Sequence, residues 1–199
     1  MRYAWLALFI AFFLWSAIEP NDRLTWIFEV APAVIGVVLI LLTWNSFRLT
    51  TLLYVLILLH MVVLMVGGHY TYAEVPLFDV IKPWFGFERN NYDKLGHFMQ
   101  GFVPAILARE ILLRKKAVNG RGWLGLFVIS ICLAFSAFYE LIEWWAALVV
   151  GEDADSFLAT QGYIWDTQSD MAWALFGAAM ALILLSRYHD RQLAALNTP

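Results

Sequence analysis

The stretch YDKLGHFMQGFVPAILAR, residues 92–109, decides how this chain is read. Most of it has the make-up of a membrane-crossing helix, yet Asp93, Lys94, His97 and Gln100 occupy its first turns. On a helix Asp93 and His97, four residues apart, share one face. An ionisable side chain inside a membrane segment costs about 2.5–3.5 kcal/mol on the insertion scale, so such groups turn toward a partner or a water-filled cavity. Two later apolar segments carry acidic pairs at the same helical spacing, Glu140/Glu143 and Asp166/Asp170. Three helices that each present a pair of ionisable groups imply one shared polar site.

Working outward, 62% of the 199 residues are hydrophobic and 15% are charged, far fewer charges than the quarter usual in soluble domains. A helix needs about 20 apolar residues to cross a bilayer. Six runs approach that length: 3–18, 26–44, 50–66, 93–113, 123–150 and 166–185. The fold expected is all-α, one polytopic transmembrane bundle over residues 1–199. The first run could pass for a signal peptide, but its exit, Trp15-Ser16-Ala17-Ile18-Glu19-Pro20, does not place small residues at both positions a signal peptidase prefers, so it is read as a retained helix. The long connection from His69 to Asn91, rich in aromatics, reads as an interfacial or re-entrant loop or short helix. Helix three is expected to break at Gly67-Gly68, Pro32 to lie near the start of helix two, and Pro104 to kink helix four. Gly101-x-x-x-Ala105 and Gly177-x-x-x-Ala181 read as small-residue helix contacts. Glu152, Asp153 and Asp155 form an acidic hairpin, and the tail after Arg187 reads as a short helix or disorder. Trp26, Trp84, Trp144, Trp145 and Trp165 suit an aromatic belt at one face, Trp44 and Trp123 at the other.

Orientation follows from charge. With both termini in the cytoplasm, only Arg23, Lys82, Arg89 and Lys94 of the thirteen Lys and Arg fall outside, as the positive-inside rule requires. A single Cys, Cys132, excludes an intrachain disulfide and a cysteine-based metal knot. A net charge of −3 with one basic cluster, Arg114-Lys115-Lys116, gives no case for nucleic acid.

That topology puts Asp93, His97, Glu140, Glu143, Asp166 and Asp170 at one outer layer. Five carboxylates and an imidazole repel unless protonated or neutralised, and a divalent ion is the most compact neutraliser. The expected metal ligands are these six residues, with Zn, Mn, Fe or Mg compatible, and His60 or His69 able to add a ligand or a supporting bond. With an open coordination position, such an ion would activate a water, with Glu140 or Glu143 as general base and His97 completing the catalytic group. Substrates reaching this layer are lipid or lipid-linked headgroups of the outer leaflet. Blander roles stand beside these. Asp93 and Asp166 also suit helix caps, Lys94 snorkelling or pairing with Asp93, His60 a packing role, and Glu29 an interfacial carboxylate. Two other functional classes stay open, a proton- or ion-coupled transporter and a non-enzymatic lipid-binding or envelope assembly protein.

YDKLGHF with its following Gln-Gly, then FYELIEWW, then GYIWDTQSDM before a small-residue helix, resemble the YjdF-type family of bacterial inner-membrane proteins across about two thirds of the chain. More distantly, the order D-K-x-x-H, E-x-x-E and an Asp-rich helix start is similar to the VanZ-like membrane proteins, some of which are associated with glycopeptide-antibiotic resistance. The resemblance implies a multi-pass inner-membrane protein. In the VanZ-like pattern the matched positions are Asp93, Lys94, His97, Glu140, Glu143, Asp166 and Asp170.

Overall fold

The computed structural model describes residues 2–151 and 160–196. Among them are seven α-helices and no strand: α1 Arg2–Ala17, α2 Arg23–Thr43, α3 Thr51–Tyr70, the short α4 Pro76–Ile81, α5 Tyr92–Arg114, α6 Arg121–Val150 and α7 Asp166–Leu196. A 3-10 turn, Lys82–Phe85, follows α4. The acidic stretch Glu152–Asp155 and the last three residues lie outside the described residues. Helices α2, α3, α6 and α7 are long and apolar enough to cross a membrane, and α1 is a shorter apolar helix.

Helix starts are set by local chemistry. Asp22 caps α2 by accepting the Thr25 amide at 2.6 Å, and Thr50 caps α3 by accepting the Leu53 amide at 3.4 Å. That hydrogen bond holds the Asp22 carboxyl below its ordinary value. The cap's contribution is therefore present above the ordinary carboxylate range and is lost as pH falls through the lowered value. Asp22→Ala is expected to cost about 1 kcal/mol, measured as a fall in the unfolding midpoint of detergent-purified protein at neutral pH that shrinks on acidification.

Helix α5 is the centre of the bundle, packed against α3, α6 and α7. It is not among the helices apolar enough to be recognised as a span, because Asp93, Lys94, Arg109 and Glu110 lie on it. All four are buried, since protein and not lipid surrounds them. At 1.5 Å per residue, Asp93 and Glu110 stand about 25 Å apart along the axis. The middle is closed by small residues: a Cβ at Gly101 would overlap the Ala174 carbonyl, and one at Gly177 the Phe98 carbonyl. Two helix backbones thus touch where the Gly-x-x-x-Ala spacing anticipates contact.

Three boundary expectations need correction. α3 does not break at Gly67-Gly68 but runs on to Tyr70, because Gly67 leaves room for the Tyr72 ring and Gly68 for Val30 and Glu29 of α2. α2 begins at Arg23, which places Pro32 in the helix interior and not its first turn. α5 is one helix through Pro104, as a kinked helix also is, and beside that proline the Cys132 thiol donates to the Gly101 carbonyl at 3.6 Å. α7 extends to Leu196, far past Arg187, because its last turns are docked. Arg109 donates to His189 Nδ1 at 2.9 Å, His189 Nε2 donates to Glu110 at 3.0 Å, and Gln192 accepts the Leu52 amide at 2.8 Å.

The exposed apolar side chains lie where lipid would meet them, including Leu42, Phe135 and Val149. In the connection after α3, α4 and the 3-10 turn expose Leu77, Val80, Trp84 and Phe85. Trp84, Trp144, Trp145, Trp165 and Trp123 are exposed as belt residues should be. Trp26 and Trp44 instead turn partly inward: Trp26 donates to Ser16 at 3.1 Å, and Trp44 packs on Tyr54.

Candidate functional site

The first turns of α5 and α7 face each other and exchange charges. Lys94 Nζ donates to Asp170 at 2.6 Å and to Asp166 at 2.9 Å, and lies 3.4 Å from Asp93. Arg89, just before α5, pairs with Asp93 and donates to Asp166 at 2.7 Å and to the Thr160 carbonyl at 2.9 Å. The Tyr163 ring lies 5.2 Å from the Arg89 guanidinium carbon and 5.5 Å from Lys94 Nζ, within cation–π range. Lys94 therefore does not snorkel. Its ammonium occupies the centre of the Asp93, Asp166 and Asp170 group, where an added cation would have to displace it. Neither Asp93 nor Asp166 serves merely as a cap, and the residue preceding α5 is Asn91.

A second grouping remains beside this one. His97 Nε2 lies 3.7 Å from Asp170 Oδ2, and His97 Nδ1 lies 3.9 Å from Glu140 Oε1 and 3.2 Å from Gln100 Oε1. Ligand atoms of His97, Glu140 and Asp170 all lie within 4.8 Å of one another. Glu140 Oε1 is buried without a hydrogen-bond partner. Buried polar atoms in native structures are almost always satisfied, so this oxygen, unpartnered among the described residues, is an exception. One nitrogen and two carboxylates suit a borderline or hard divalent ion, and the donor set fits one. Of the six expected ligands, His97, Glu140 and Asp170 form this grouping, while Asp93 and Asp166 are bound to Lys94 and Arg89.

Glu143 stands apart from the three. It lines a cavity of about 650 Å3 between α2, α3, α5 and α6, together with His97, Asp170, Glu29, His60 and Tyr139. Glu29, expected as an interfacial or dipole-facing carboxylate, is buried and accepts a hydrogen bond from Tyr139 at 3.3 Å. An acid in an otherwise apolar run was the signal available for it. Tyr72 also lines the cavity, placed there by its packing on Gly67 and Gly96; nothing in the local sequence announces that. Of the two further histidines, His60 faces the cavity with a buried, unpartnered Nε2. His69 Nδ1 instead meets the Ser16 carbonyl at 3.2 Å and its ring lies on Trp15, so it joins α1 to α3 and takes no part in the site. A second cavity of about 540 Å3 lies on the other side of the charged group, lined by Arg89, Lys94, Phe98, Tyr163 and Trp173.

The bundle and the three motifs can now be set beside known proteins. No solved structure matches the chain. The wider VanZ-like likeness rests on motif order alone. The chain is 55% identical over 180 residues to "Inner membrane protein YjdF" of Escherichia coli (strain K12), which covers 90% of this chain and 86% of that protein. The family described as "Predicted membrane protein (DUF2238)" matches residues 1–191, so the chain, an integral inner-membrane protein, belongs to that family.

Proposed function

We propose that this protein binds a divalent cation through His97, Glu140 and Asp170 at the outer face of the membrane and there hydrolyses or transfers a lipid-linked headgroup. The observation that carries this reading is Glu140 Oε1, buried, without a partner and 3.9 Å from His97. A bound cation of this kind supplies Lewis-acid polarisation of a carbonyl or phosphoryl oxygen. The chain's own residues do the rest. Gln100, 3.2 Å from His97 Nδ1, orients the imidazole so that its other nitrogen is left for the cation. Glu143, one turn from Glu140 on the same face, is placed to take a proton from a reacting hydroxyl or water in the cavity. The apolar walls exclude bulk water from that proton.

The topology supporting this reading has six spans, with α5 as the fourth, and both termini in the cytoplasm. The polar ends of α5 stand nearly one hydrocarbon-core thickness apart, about 25 Å against roughly 30 Å. Arg48, Arg109, Arg114 and Arg187 fall at the inner end under the positive-inside rule. The exposed apolar residues of α4 and the turn after it then rest in the outer interface.

The test is metal analysis of protein purified without added chelator. Wild type is expected to carry a stoichiometric divalent ion, His97→Ala and Glu140→Ala to carry only background, and Asp190→Asn, at the opposite end, to match wild type. Background metal in wild type, together with an unfolding midpoint unmoved by chelator or by added Zn, Mn, Fe or Mg, would overturn the proposal.

A further inference from the structure

The larger cavity has a composition that a small soluble substrate would not need. Its polar wall is gathered at one end, where Glu29, Tyr72, Tyr139, Glu143 and His97 meet. From there it descends along α2 past Pro32, Ile35 and Gly36 to Leu39, a run of about 15 Å from Glu29 at 1.5 Å per residue. The lower walls are apolar: Ile35 and Leu39 on α2, Leu64 on α3, Phe135 and Phe138 on α6. Four of these also face outward, with Ile35 58%, Leu39 55%, Phe135 60% and Phe138 52% exposed. α2 packs against α3, and α6 against α5 and α7; among the described residues α2 and α6 meet through the hydrogen bond from Tyr139 to Glu29 at the polar end, and below it the cavity-lining side chains on both helices are exposed. The cavity is therefore open sideways, between α2 and α6, at the depth where hydrocarbon chains lie.

Its charge is equally one-sided. No Lys or Arg lines it, while Arg89 and Lys94 face the other cavity across the ion-pair group. Asp93 and Asp170 are already bonded to Lys94 or Arg89. Glu29 and Glu143 have no Lys or Arg partner among the described residues, and His60 Nε2 below them is unsatisfied. An acid in an apolar recess ionises only where a cation answers it, and with no Lys or Arg in this cavity a ligand would have to bring that cation.

We infer that the cavity takes a membrane lipid with an ammonium-bearing headgroup, one hydrocarbon chain entering between α2 and α6 to lie along Ile35, Leu39 and Phe135, and the ammonium resting against Glu29 and Glu143. This names the substrate class for the proposed function and rests on that reading for the outward direction of the site, but it does not depend on a bound metal. The open side explains how a lipid arrives without leaving the bilayer. The acidic end explains which headgroup is held: an anionic one meets carboxylates and no base.

The experiment is photo-crosslinking of the full chain in nanodiscs. The probes are two phospholipids with the same diazirine-bearing chains, one with an ethanolamine and one with a glycerol headgroup. Peptides of α2 and α6 spanning Ile35, Leu39 and Phe135 are expected to be labelled by the ethanolamine lipid about tenfold more than by the glycerol lipid, the ratio one charge-assisted contact supplies. Glu143→Gln and Glu29→Gln should each reduce that ratio toward one while leaving the labelled peptides the same. Ile35→Trp, whose side chain starts on the open face and so leaves helix packing intact, should block labelling of Phe135 by either lipid. Equal labelling by both headgroups, or labelling of Phe135 undiminished by Ile35→Trp, would overturn the inference and identify the contact as bulk bilayer. Metal content measured on the same preparation separates the two claims. Metal without headgroup selectivity sinks only the lipid assignment, and selectivity without metal sinks only the cation site.

Discussion

Lys94→Met is expected to cost about 3–5 kcal/mol of stability, the scale found when one partner of a buried ion pair is removed and the other stays charged. The ammonium sits between Asp166 and Asp170 at hydrogen-bond distance, with Asp93 close by. Without it, Arg89 alone faces three buried carboxylates and bonds only two of them. The α5–α7 contact loses its electrostatic closure at the end where both first turns meet. Adding Asp170→Asn to Lys94→Met removes one uncompensated charge, so the double variant should be more stable than Lys94→Met alone. Reversible unfolding in mixed micelles measures both. A Lys94→Met loss below about 1 kcal/mol, the range of exposed pairs, would show that the network does not close the site.

The second large effect is expected from Gly101→Leu. The clash there is with the Ala174 backbone carbonyl, which has no rotamer by which to retreat. Inserting methylenes into a packed core costs about 1–3 kcal/mol when side chains can adjust. Here the helices themselves must part, so the loss should reach or exceed the top of that range. Separation would also draw Lys94 from Asp166 and Asp170, and the yield of folded protein after mild heating should fall sharply. Gly125→Ala is the control. It lies within α6, and a Cβ there meets nothing within 4 Å. The change should be neutral or raise stability by up to about 1 kcal/mol through helix propensity. If Gly101→Leu behaved like Gly125→Ala, α5 and α7 would not be in backbone contact in the folded protein. The same contact bears on function: a seam closed at Gly101 and Gly177 leaves no path between α5 and α7 for a transported solute.

Several features were legible because they depend only on composition and local spacing. Long apolar runs have to become helices in a bilayer, since a spanning backbone must satisfy its own hydrogen bonds. The i,i+4 spacing of Asp93 and His97 put both on one face of α5, and Gly101 with Gly177 announced where two helices would touch. The tail after Arg187 stayed open between short helix and disorder for a related reason. Taken alone, its polar residues suggest a frayed end, and only the docking of His189 and Gln192 on α5 and α3 makes it helix.

From the sequence alone came the helical membrane bundle, the family and a polar layer toward one end of the bundle, because hydrophobicity, helical period and motif order are written along the chain. The tertiary structure decided which charge answers which. Lys94 and Asp170 lie 76 residues apart, and whether the ammonium or a metal occupies the acids depends on how α5 and α7 are rotated about their axes. It decided too that Glu29, Tyr72 and Glu143 share a cavity, because a helix's inward face is chosen by its neighbours and not by its own residues.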